Sequence, residues 1–293
     1  MEQTKTKDMQ RRLEGKVAII TGAGAGIGEA IAHKFALEGA SLILNGLPDD
    51  PVEEVASAIR LRGGNAVSHL GDISEELYAR QCVQLAIDTY RKLDILVNNA
   101  GVLPYMSETQ DMPVEAFEMM IKNNVRSAFL MTKYALPHLQ KTHGNIVSAG
   151  SEAGFNGLAE CTPYGGTKGW MHSFMMGVAV EQAKHGVRAN CICPGPVDTA
   201  WTHKEKGPMD KKTEKLLIEA TPMARRGTTE EIANVYAFIA SDEASYVTGA
   251  LWLVDGGITP AKGSVGKQTP SSLASEPKGR LDLSHQRDGG HKL

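Results

Sequence analysis

Cysteine is scarce in this sequence of 293 residues, which contains only four. Their positions show none of the paired spacings that are typical of zinc sites, so the sequence predicts no metal site. Cys191 and Cys193 would lie on one face of a strand, and there we expect buried, inert thiols. The other two are Cys82 and Cys161.

A strong charge of either sign is also missing, since the formal net charge is only -3. The sequence therefore offers no electrostatic case for a nucleic-acid partner. No stretch approaches the roughly 18 apolar residues of a membrane-spanning helix. The polar residues 1–14 lack the apolar core of a signal peptide. We expect a cytoplasmic protein with no nucleic-acid and no membrane partner.

The sequence does contain a glycine-rich turn between a strand-like and a helix-like segment. Residues 16–21 form a short apolar run rich in β-branched residues, and residues 29–38 have helical periodicity before Gly39. The turn between them contains Gly22, Gly26 and Gly28. Glycines at such a turn let the backbone and a helix N-terminus approach a pyrophosphate. The pattern predicts a dinucleotide-binding unit, with a flexible glycine loop as the alternative.

Apolar runs alternate with helix-like segments along most of the chain, which is typical of a parallel sheet. We predict an α/β fold: a Rossmann-type doubly wound parallel sheet of about seven strands with helices on both faces. The domain would occupy residues 15–259, after a polar N-terminal extension at residues 1–14. The C-terminal tail, residues 260–293, is predicted to be disordered, to wrap a neighbouring subunit or to cover the active site. The predicted strands are residues 16–21, 41–44, 66–70, 95–97, 145–149, 189–193 and 251–254.

Tyr164 and Lys168 stand four residues apart, and Ser151 lies thirteen residues before Tyr164. In a helix, side chains at i and i+4 lie on one face. An ammonium close to a phenol stabilises the phenolate, so such a tyrosine can exchange a proton with an alcohol or carbonyl oxygen. The hydroxyl of Ser151 would hold the same oxygen. The spacing alone is weak evidence, because it also occurs on many solvated helix faces.

Together with other motifs in the same order, these residues resemble the short-chain dehydrogenase/reductase family, in its single-domain branch. The resemblance extends from about Leu13 to Thr259. Its motifs are Thr21-Gly22 with Gly26-Ile27-Gly28, Asp72-Ile73, residues 98–101, Tyr164 with Lys168, residues 194–199 and residues 247–257. The resemblance implies that a nicotinamide cofactor contacts Gly22, Gly26, Ile27, Gly28, Asp72, Ile73, Asn99, Ala100, Gly101, Tyr164, Lys168, Pro194, Gly195, Val197 and Thr199.

The same resemblance implies catalytic roles for Asn124, Ser151, Tyr164 and Lys168. Tyr164 would be the general acid/base, Ser151 would hydrogen-bond the substrate oxygen, and Lys168 would stabilise the phenolate and hold the nicotinamide ribose. Asn124 would connect Lys168 to solvent through water. The implied enzyme transfers a hydride between the cofactor and a secondary alcohol or ketone, and forms a homotetramer or homodimer. The alternative is a non-catalytic NAD(P)-binding sensor or scaffold, in which these residues would be ordinary packing or solvated groups.

The end of the second predicted strand favours NAD over NADP. An acidic residue there hydrogen-bonds the ribose 2′-OH of NAD, whereas a nearby Arg accommodates the 2′-phosphate of NADP. Gly46 stands where we align the acidic residue, but residues 41–50 contain no Lys or Arg. Asp49 and Asp50 would repel an added phosphate. We therefore predict NAD rather than NADP as the preferred cofactor.

Residues 199–221 are rich in Lys and Glu and fall where the family carries a mobile substrate loop. Its candidates for substrate contact, or for packing against the domain, are Trp201, Met209 and Leu217. Position alone suggests further pocket residues, which are Tyr105, Glu152, Phe155, Asn156 and Cys161. Because loop geometry decides the pocket, the sequence does not identify the physiological substrate.

Overall fold

The computed structural model of the protein describes residues 11–199, 211–277, 279 and 281. At its centre lies a parallel sheet of seven strands in the order β3-β2-β1-β4-β5-β6-β7. The strands are β1 (Val17–Thr21), β2 (Ser41–Gly46), β3 (Asn65–Leu70), β4 (Ile95–Asn98), β5 (Asn145–Ala149), β6 (Arg188–Pro194) and β7 (Leu251–Val254). The predicted doubly wound parallel sheet is confirmed.

Helices connect these strands and cover both faces of the sheet. They are α1 (Gly26–Leu37), α2 (Val52–Leu61), α3 (Glu76–Tyr90), α4 (Val114–Met120), α5 (Ser127–Thr142), α6 (Thr162–Gln182), α7 (Lys211–Ala220) and α8 (Thr229–Ala240). Among the residues described, none of these helices is long and apolar enough to cross a membrane.

Alternation along β1 explains why its sequence is apolar throughout. Ala18 and Ile20 belong to a core cluster with α1, α2 and α8, whereas Val17 and Ile19 belong to a second cluster with α3, α5 and α6. Because successive side chains of a strand point to opposite faces, a strand covered on both sides needs apolar residues at every position. The sheet thus separates two cores, each closed by helices.

The order of the strands creates a crevice at the carboxyl ends of β1 and β4. Ala18 of β1 pairs with Leu42 of β2 on one side and with Ile95 of β4 on the other. The chain leaves β1 towards β2 but leaves β4 towards β5, so the two connections diverge. Doubly wound sheets bind ligands at this point of divergence. The glycine turn follows β1, and residues 99–101 follow β4, at this same crevice.

An irregular stretch joins α4 and α5: residues Ile121–Arg126 form a π-helical turn. Single π turns inside longer helices occur frequently at functional sites. This one carries Asn124, whose exposed fraction is 2%. The wide turn therefore directs a polar side chain into the interior.

The described residues beyond Thr259 pack against α7 and the loop after it. The ammonium of Lys267 lies 3.1 Å from the carboxylate of Glu219, and the hydroxyl of Thr269 donates to the carbonyl oxygen of Pro222 at 2.5 Å. Leu281 packs against the core cluster that contains α1 and α8. The boundaries proposed after residues 14 and 259 stay predictions.

Candidate active site

The glycine turn leaves β1 and becomes the first turn of α1. A methyl group on Gly28 would lie 2.0 Å from the carbonyl oxygen of Gly22, so the helix and the strand end approach each other as closely as glycine allows. Gly22 and Gly26 have φ angles of +62° and +61°, in the left-handed region. In the described structure, Ala25 gives α1 no side-chain cap, while Ile27 packs on the core below. A side-chain-free turn beside an uncapped helix start fits a pyrophosphate.

Asn99 ties the glycine turn to the end of β4. Its side-chain amide donates to the carbonyl oxygens of Thr21 at 3.1 Å and Gly22 at 3.2 Å. The Thr21 hydroxyl oxygen accepts from the backbone amides of Asn99 and Ala100, each at 3.0 Å. The turn is thus held by a side chain from the neighbouring strand, and Ala100 lies directly beside Gly22.

The end of β6 and the chain after it, residues 194–199, close the crevice from the other side. Their predicted cofactor contacts are Pro194, Gly195, Val197 and Thr199. The Cβ of Thr199 lies 3.5 Å from the position of a methyl group on Gly26. A methyl group on Gly195 would lie 2.8 Å from the Cα of Asp255, so this segment is also packed tightly on the turn after β7. The glycine turn and residues 194–199 therefore face each other across the crevice.

The end of β2 brings a carboxylate next to Gly46. Asp50 accepts a hydrogen bond from the backbone amide of Leu47 at 2.9 Å. One of its carboxylate oxygens would lie 3.1 Å from a methyl group on Gly46, and its Cβ would lie 3.2 Å from one on Gly24. Asp50 thus supplies an acidic group at the position where our alignment put Gly46. The fold of the loop, which sequence spacing does not show, brings it there.

Asp72 and Ile73 follow β3 at the same edge of the sheet. The carboxylate of Asp72 accepts from the backbone amide of Ser74 at 3.0 Å and lies 2.9 Å from the ammonium of Lys122. Ile73 is buried, with an exposed fraction of 5%. Because the Gly71 amide donates to the Gly46 carbonyl oxygen at 2.9 Å, this turn adjoins the end of β2.

Tyr164 and Lys168 both lie in α6, so their spacing does put them on one helix face. The Lys168 ammonium is 5.5 Å from the centroid of the Tyr164 ring and donates to the carbonyl oxygen of Ala149 at 2.9 Å. Lys168 is buried, with an exposed fraction of 6%. The bond to Ala149, the last residue of β5, fixes the ammonium beside the end of that strand.

Asn124 approaches the same region from the π turn. Its amide oxygen accepts from the backbone amide of Val102 at 2.7 Å, and its amide nitrogen donates to the Val102 carbonyl oxygen and to the Thr167 hydroxyl. A methyl group on Gly101 would lie 3.2 Å from the Asn124 amide oxygen and 3.6 Å from the Lys168 ammonium. Gly101 is therefore flanked by both side chains.

Ser151 follows β5 with an extended backbone and begins a short 3-10 turn at Glu152–Gly154. Its hydroxyl oxygen accepts from the backbone amide of Ala153 at 3.1 Å. A methyl group on Gly165 would lie 2.8 Å from the carbonyl oxygen of Ala153. The turn that bears Ser151 is therefore in direct contact with the helix that bears Tyr164, at the residue next to Tyr164.

Glu152, next to Ser151, is a buried acid with an exposed fraction of 8%. Burial, together with the nearby charge of Asp255, raises its pKa to about 7. Asn156 links the same turn to the end of β7, since its side-chain amide donates to the Thr259 hydroxyl at 3.5 Å. Asp255 in turn accepts from the Thr259 backbone amide at 2.9 Å. The turns after β5 and β7 thus form one polar wall.

The remaining pocket candidates differ in exposure. Phe155 and Tyr105 are each 44% exposed, whereas Cys161 is buried. The candidates from the substrate loop are Leu217, which lies in α7, and Trp201 and Met209, which lie outside the described residues.

Sequence reasoning missed a polar cluster beneath Ser151. The sulfur of Cys193 lies 3.2 Å from Nε2 of His172, and both side chains are buried. A hydrogen bond from the Cys191 thiol holds the pKa of Cys193 below its usual value, whereas the pKa of Cys191 is raised. The strand pattern indicated that two thiols share a face, but no spacing indicated that an imidazole faces them.

Known proteins are similar to this chain along most of its length. A family model described as Enoyl-(Acyl carrier protein) reductase matches residues 22–259. The oxidoreductase YxbG of Bacillus subtilis (strain 168) is 37% identical over 251 residues, which cover 84% of this chain and 92% of that protein. L-rhamnose 1-dehydrogenase (NAD(P)(+)) of Sphingomonas sp. (strain SKA58) is 36% identical over 249 residues, covering 84% of this chain and 97% of that protein.

A solved structure is similar in both fold and sequence. It is that of 7 alpha-hydroxysteroid dehydrogenase complexed with NADH and 7-oxo glycochenodeoxycholic acid, with a TM-score of 0.79 and 34% sequence identity. The match covers 85% of this chain and 96% of that one.

Proposed function

Because the chain belongs to the short-chain dehydrogenase/reductase family, and is an NAD(P)-dependent oxidoreductase that interconverts alcohols and ketones, we propose that Tyr164 is its general acid/base. The observation that carries this proposal is the direct packing of Gly165, next to Tyr164, on Ala153, two residues after Ser151. The relatives give no support to the alternative of a non-catalytic sensor or scaffold.

A bound nicotinamide cofactor supplies or accepts the hydride. In reduction, the Tyr164 phenol donates its proton to the carbonyl oxygen of the substrate; in oxidation, the phenolate takes a proton from the alcohol. Ser151 stabilises the charge that develops on the same oxygen. Its hydroxyl oxygen accepts from Ala153, so its hydrogen is available to donate to the substrate.

Lys168 places a buried ammonium 5.5 Å from the centroid of the Tyr164 ring, where it would stabilise the negative charge that develops on this side chain during proton transfer. An ammonium has three donors, and the bond to Ala149 occupies one of them. We assign the others to the nicotinamide ribose and to a water molecule that Asn124 helps to hold. The flanking of Gly101 by Asn124 and Lys168 supports this assignment.

The preferred cofactor is NAD. The glycine turn, with Asn99, Ala100 and Thr199 around it, would hold the pyrophosphate, while Asp72 and Ile73 would border the adenine. The carboxylate of Asp50, beside Gly46 and Gly24, would accept a hydrogen bond from the ribose 2′-OH and repel a 2′-phosphate. Its position supports NAD more directly than the absence of a basic residue does.

The substrate is a secondary alcohol or ketone with a polar group close to the reacting carbon. Below a pH of about 7, Glu152 is protonated and can donate a hydrogen bond from the residue next to Ser151. One named relative points the same way, since it is a rhamnose dehydrogenase and a sugar carries a hydroxyl group next to its reacting carbon.

Titration with NADH and NADPH, followed by turnover of sugars, steroids and cyclic ketones, tests these proposals. Tyr164→Phe should keep NADH binding but lower kcat by at least about a hundredfold, the usual size of general acid–base catalysis. Tyr246→Phe is the matched control, because Tyr246 is fully exposed. If Tyr164→Phe turned over substrate at the wild-type rate, the assignment of Tyr164 would be wrong. If the protein bound NADPH more tightly than NADH, the cofactor preference would be wrong.

A homotetramer or homodimer is the proposed assembly. Phe129 on α5 and Met176 and Val180 on α6 are exposed apolar side chains, with exposed fractions of 46%, 42% and 82%. Burial of this surface would favour association. Light scattering during size-exclusion chromatography measures the mass directly, and a monomer at working concentration would contradict the proposal. The cytoplasmic location stays a prediction.

A further inference from the structure

His172, Cys191 and Cys193 bring one imidazole nitrogen and two sulfurs within 4.8 Å of one another. Nε2 of His172 lies 3.2 Å from the Cys193 sulfur. His172 is 4% exposed and both thiols are 0% exposed. Burial of three polar groups costs free energy that apolar side chains in the same space would not require. Buried thiols alone are ordinary, since cysteine packs like a small apolar residue, but a buried imidazole that faces two sulfurs calls for a further explanation.

Two regular elements hold these side chains rigidly. Cys191 and Cys193 lie on one face of β6, since both belong to the core cluster on the side of α6, whereas Ile192 belongs to the opposite one. His172 projects from the interior of α6. Because β6 lies between β5 and β7, the backbone that carries the two thiols is held on both sides by the sheet. The geometry of the cluster is thus built into the fold.

Glycines on the turn around Ser151 make room for the imidazole. A methyl group on Gly150 would lie 2.6 Å from Nε2 of His172, and one on Gly154 would lie 2.4 Å from its Cε1. The ring of Phe155 covers the imidazole, with 4.5 Å between centroids. The ring is therefore confined in an orientation that directs Nε2 towards the sulfurs.

The contact that His172 makes through Nε2 also suits metal ligation. The backbone amide of Ser151 donates to Nε2 at 3.5 Å, a long bond that nevertheless requires a lone pair on Nε2. A neutral imidazole with its lone pair on Nε2 is the form in which histidine binds a metal through this atom.

We propose that His172, Cys191 and Cys193 bind a thiophilic d10 cation, with Zn²⁺ as the representative ion. Zinc bonds of about 2.3 Å to sulfur and 2.0–2.1 Å to nitrogen require ligand atoms roughly 3.5–4.0 Å apart. The separations of 3.2 Å and of at most 4.8 Å span this range. Two cysteines and one histidine form a ligand set that is known from zinc sites. Each thiol loses its proton to solvent as its sulfur bonds to the ion.

The cysteine spacings did not indicate this site, because the proposed third ligand, His172, lies on α6 and not near the two cysteines of β6 in the sequence. Occupancy has a consequence at the neighbouring serine: the ion takes the Nε2 lone pair that the Ser151 amide contacts. If Ser151 has the role proposed above, zinc loading lowers turnover. The binding site itself does not depend on that role.

Cobalt substitution tests the site on the full-length protein. Protein freed of metal with a chelator is titrated with Co²⁺, and one ion per chain should produce a near-ultraviolet thiolate-to-cobalt charge-transfer band that Zn²⁺ removes. Cys193→Ser should lose this band, whereas Cys82→Ser, which removes a buried thiol on α3, should keep it. Cobalt binding without thiolate bands, or bands that persist in Cys193→Ser, would overturn the proposal.

A second measurement needs no variant and so remains decisive if Cys193→Ser does not fold. X-ray absorption at the zinc edge of the loaded wild-type protein should show two sulfur neighbours and one imidazole nitrogen. A first shell of oxygen and nitrogen alone would assign the ion to surface carboxylates or histidines and overturn the site. A shell with two sulfurs together with unchanged turnover would instead preserve the site and contradict the role of Ser151.

Discussion

Replacement of Gly28 by alanine tests the glycine turn at its closest contact. The added methyl group would lie 2.0 Å from the Gly22 carbonyl oxygen and 2.7 Å from the side-chain nitrogen of Asn99. Because non-bonded heavy atoms are at optimal separation near 3.5 Å, the start of α1 must shift by about 1.5 Å. The shift would move the first amides of the helix relative to the end of β1.

The magnitude follows from two opposing terms. Overpacking of this kind costs about 1–3 kcal/mol, and the better helix propensity of alanine returns up to about 1 kcal/mol. We expect a net loss of about 1–2 kcal/mol in the free energy of unfolding and a Tm lower by about 2–6 °C. The Kd for NADH should rise at least tenfold, which corresponds to about 1.4 kcal/mol.

Thermal unfolding and fluorescence titration with NADH measure these two effects. Gly177→Ala is the matched control, because Gly177 lies in the interior of α6 with open space around it. That change should raise stability by about 0.5–1 kcal/mol and leave the Kd unchanged. If Gly28→Ala bound NADH with the wild-type Kd, the turn would not be the pyrophosphate site.

Other predictions concern Glu152, Asp50 and Thr228. Burial, with Asp255 nearby, raises the pKa of Glu152 from 4.5 to about 7, so its contribution to stability is full below pH 4.5 and is lost as pH rises through about 7. Glu152→Gln should remove this loss of stability, and equal slopes of Tm against pH in the variant and the wild type would refute the prediction. Asp50→Asn should raise the affinity for NADPH relative to NADH about fivefold, since a charge pair at 4 Å in water contributes about 1 kcal/mol; an unchanged ratio in a fluorescence titration would contradict the ribose assignment. Thr228 caps α8 by accepting from the Glu231 amide at 3.2 Å, so Thr228→Ala should cost about 1 kcal/mol in a urea melt, and an unchanged midpoint would show that the cap contributes nothing.

The sheet could be predicted from the sequence because its strands are covered on both faces. Ile19 and Ile20 point to opposite cores, so β1 is apolar at every position. A short continuous apolar run of this kind is typical of a buried parallel strand. The glycine turn was predictable for a related reason: Gly28 lies where any side chain would meet the backbone of Gly22. These features depend on residues that are close in sequence.

Features that depend on distant residues were not predictable. Asp50 reaches the end of β2 through the fold of its loop, and linear alignment pointed to Gly46 instead. His172 meets Cys193 only because α6 packs on β6. The π turn around Asn124 adds one residue to a helical turn, a change too small to alter the hydrophobic pattern. Contacts between side chains of different helices, strands and loops can be identified only in the packed structure.

The central position of β1 has a consequence for how the chain folds. Ala18 finds one of its two neighbours only at Ile95, so a ribosome must release much of the N-terminal half before the middle of the sheet can form. Asn99, which secures Gly22, emerges later still. An isolated fragment that ends before β4 would contain every glycine of the turn and yet lack the side chain that holds it. We therefore expect the ability to bind a nucleotide to appear late during synthesis, and not when the glycine motif itself is made.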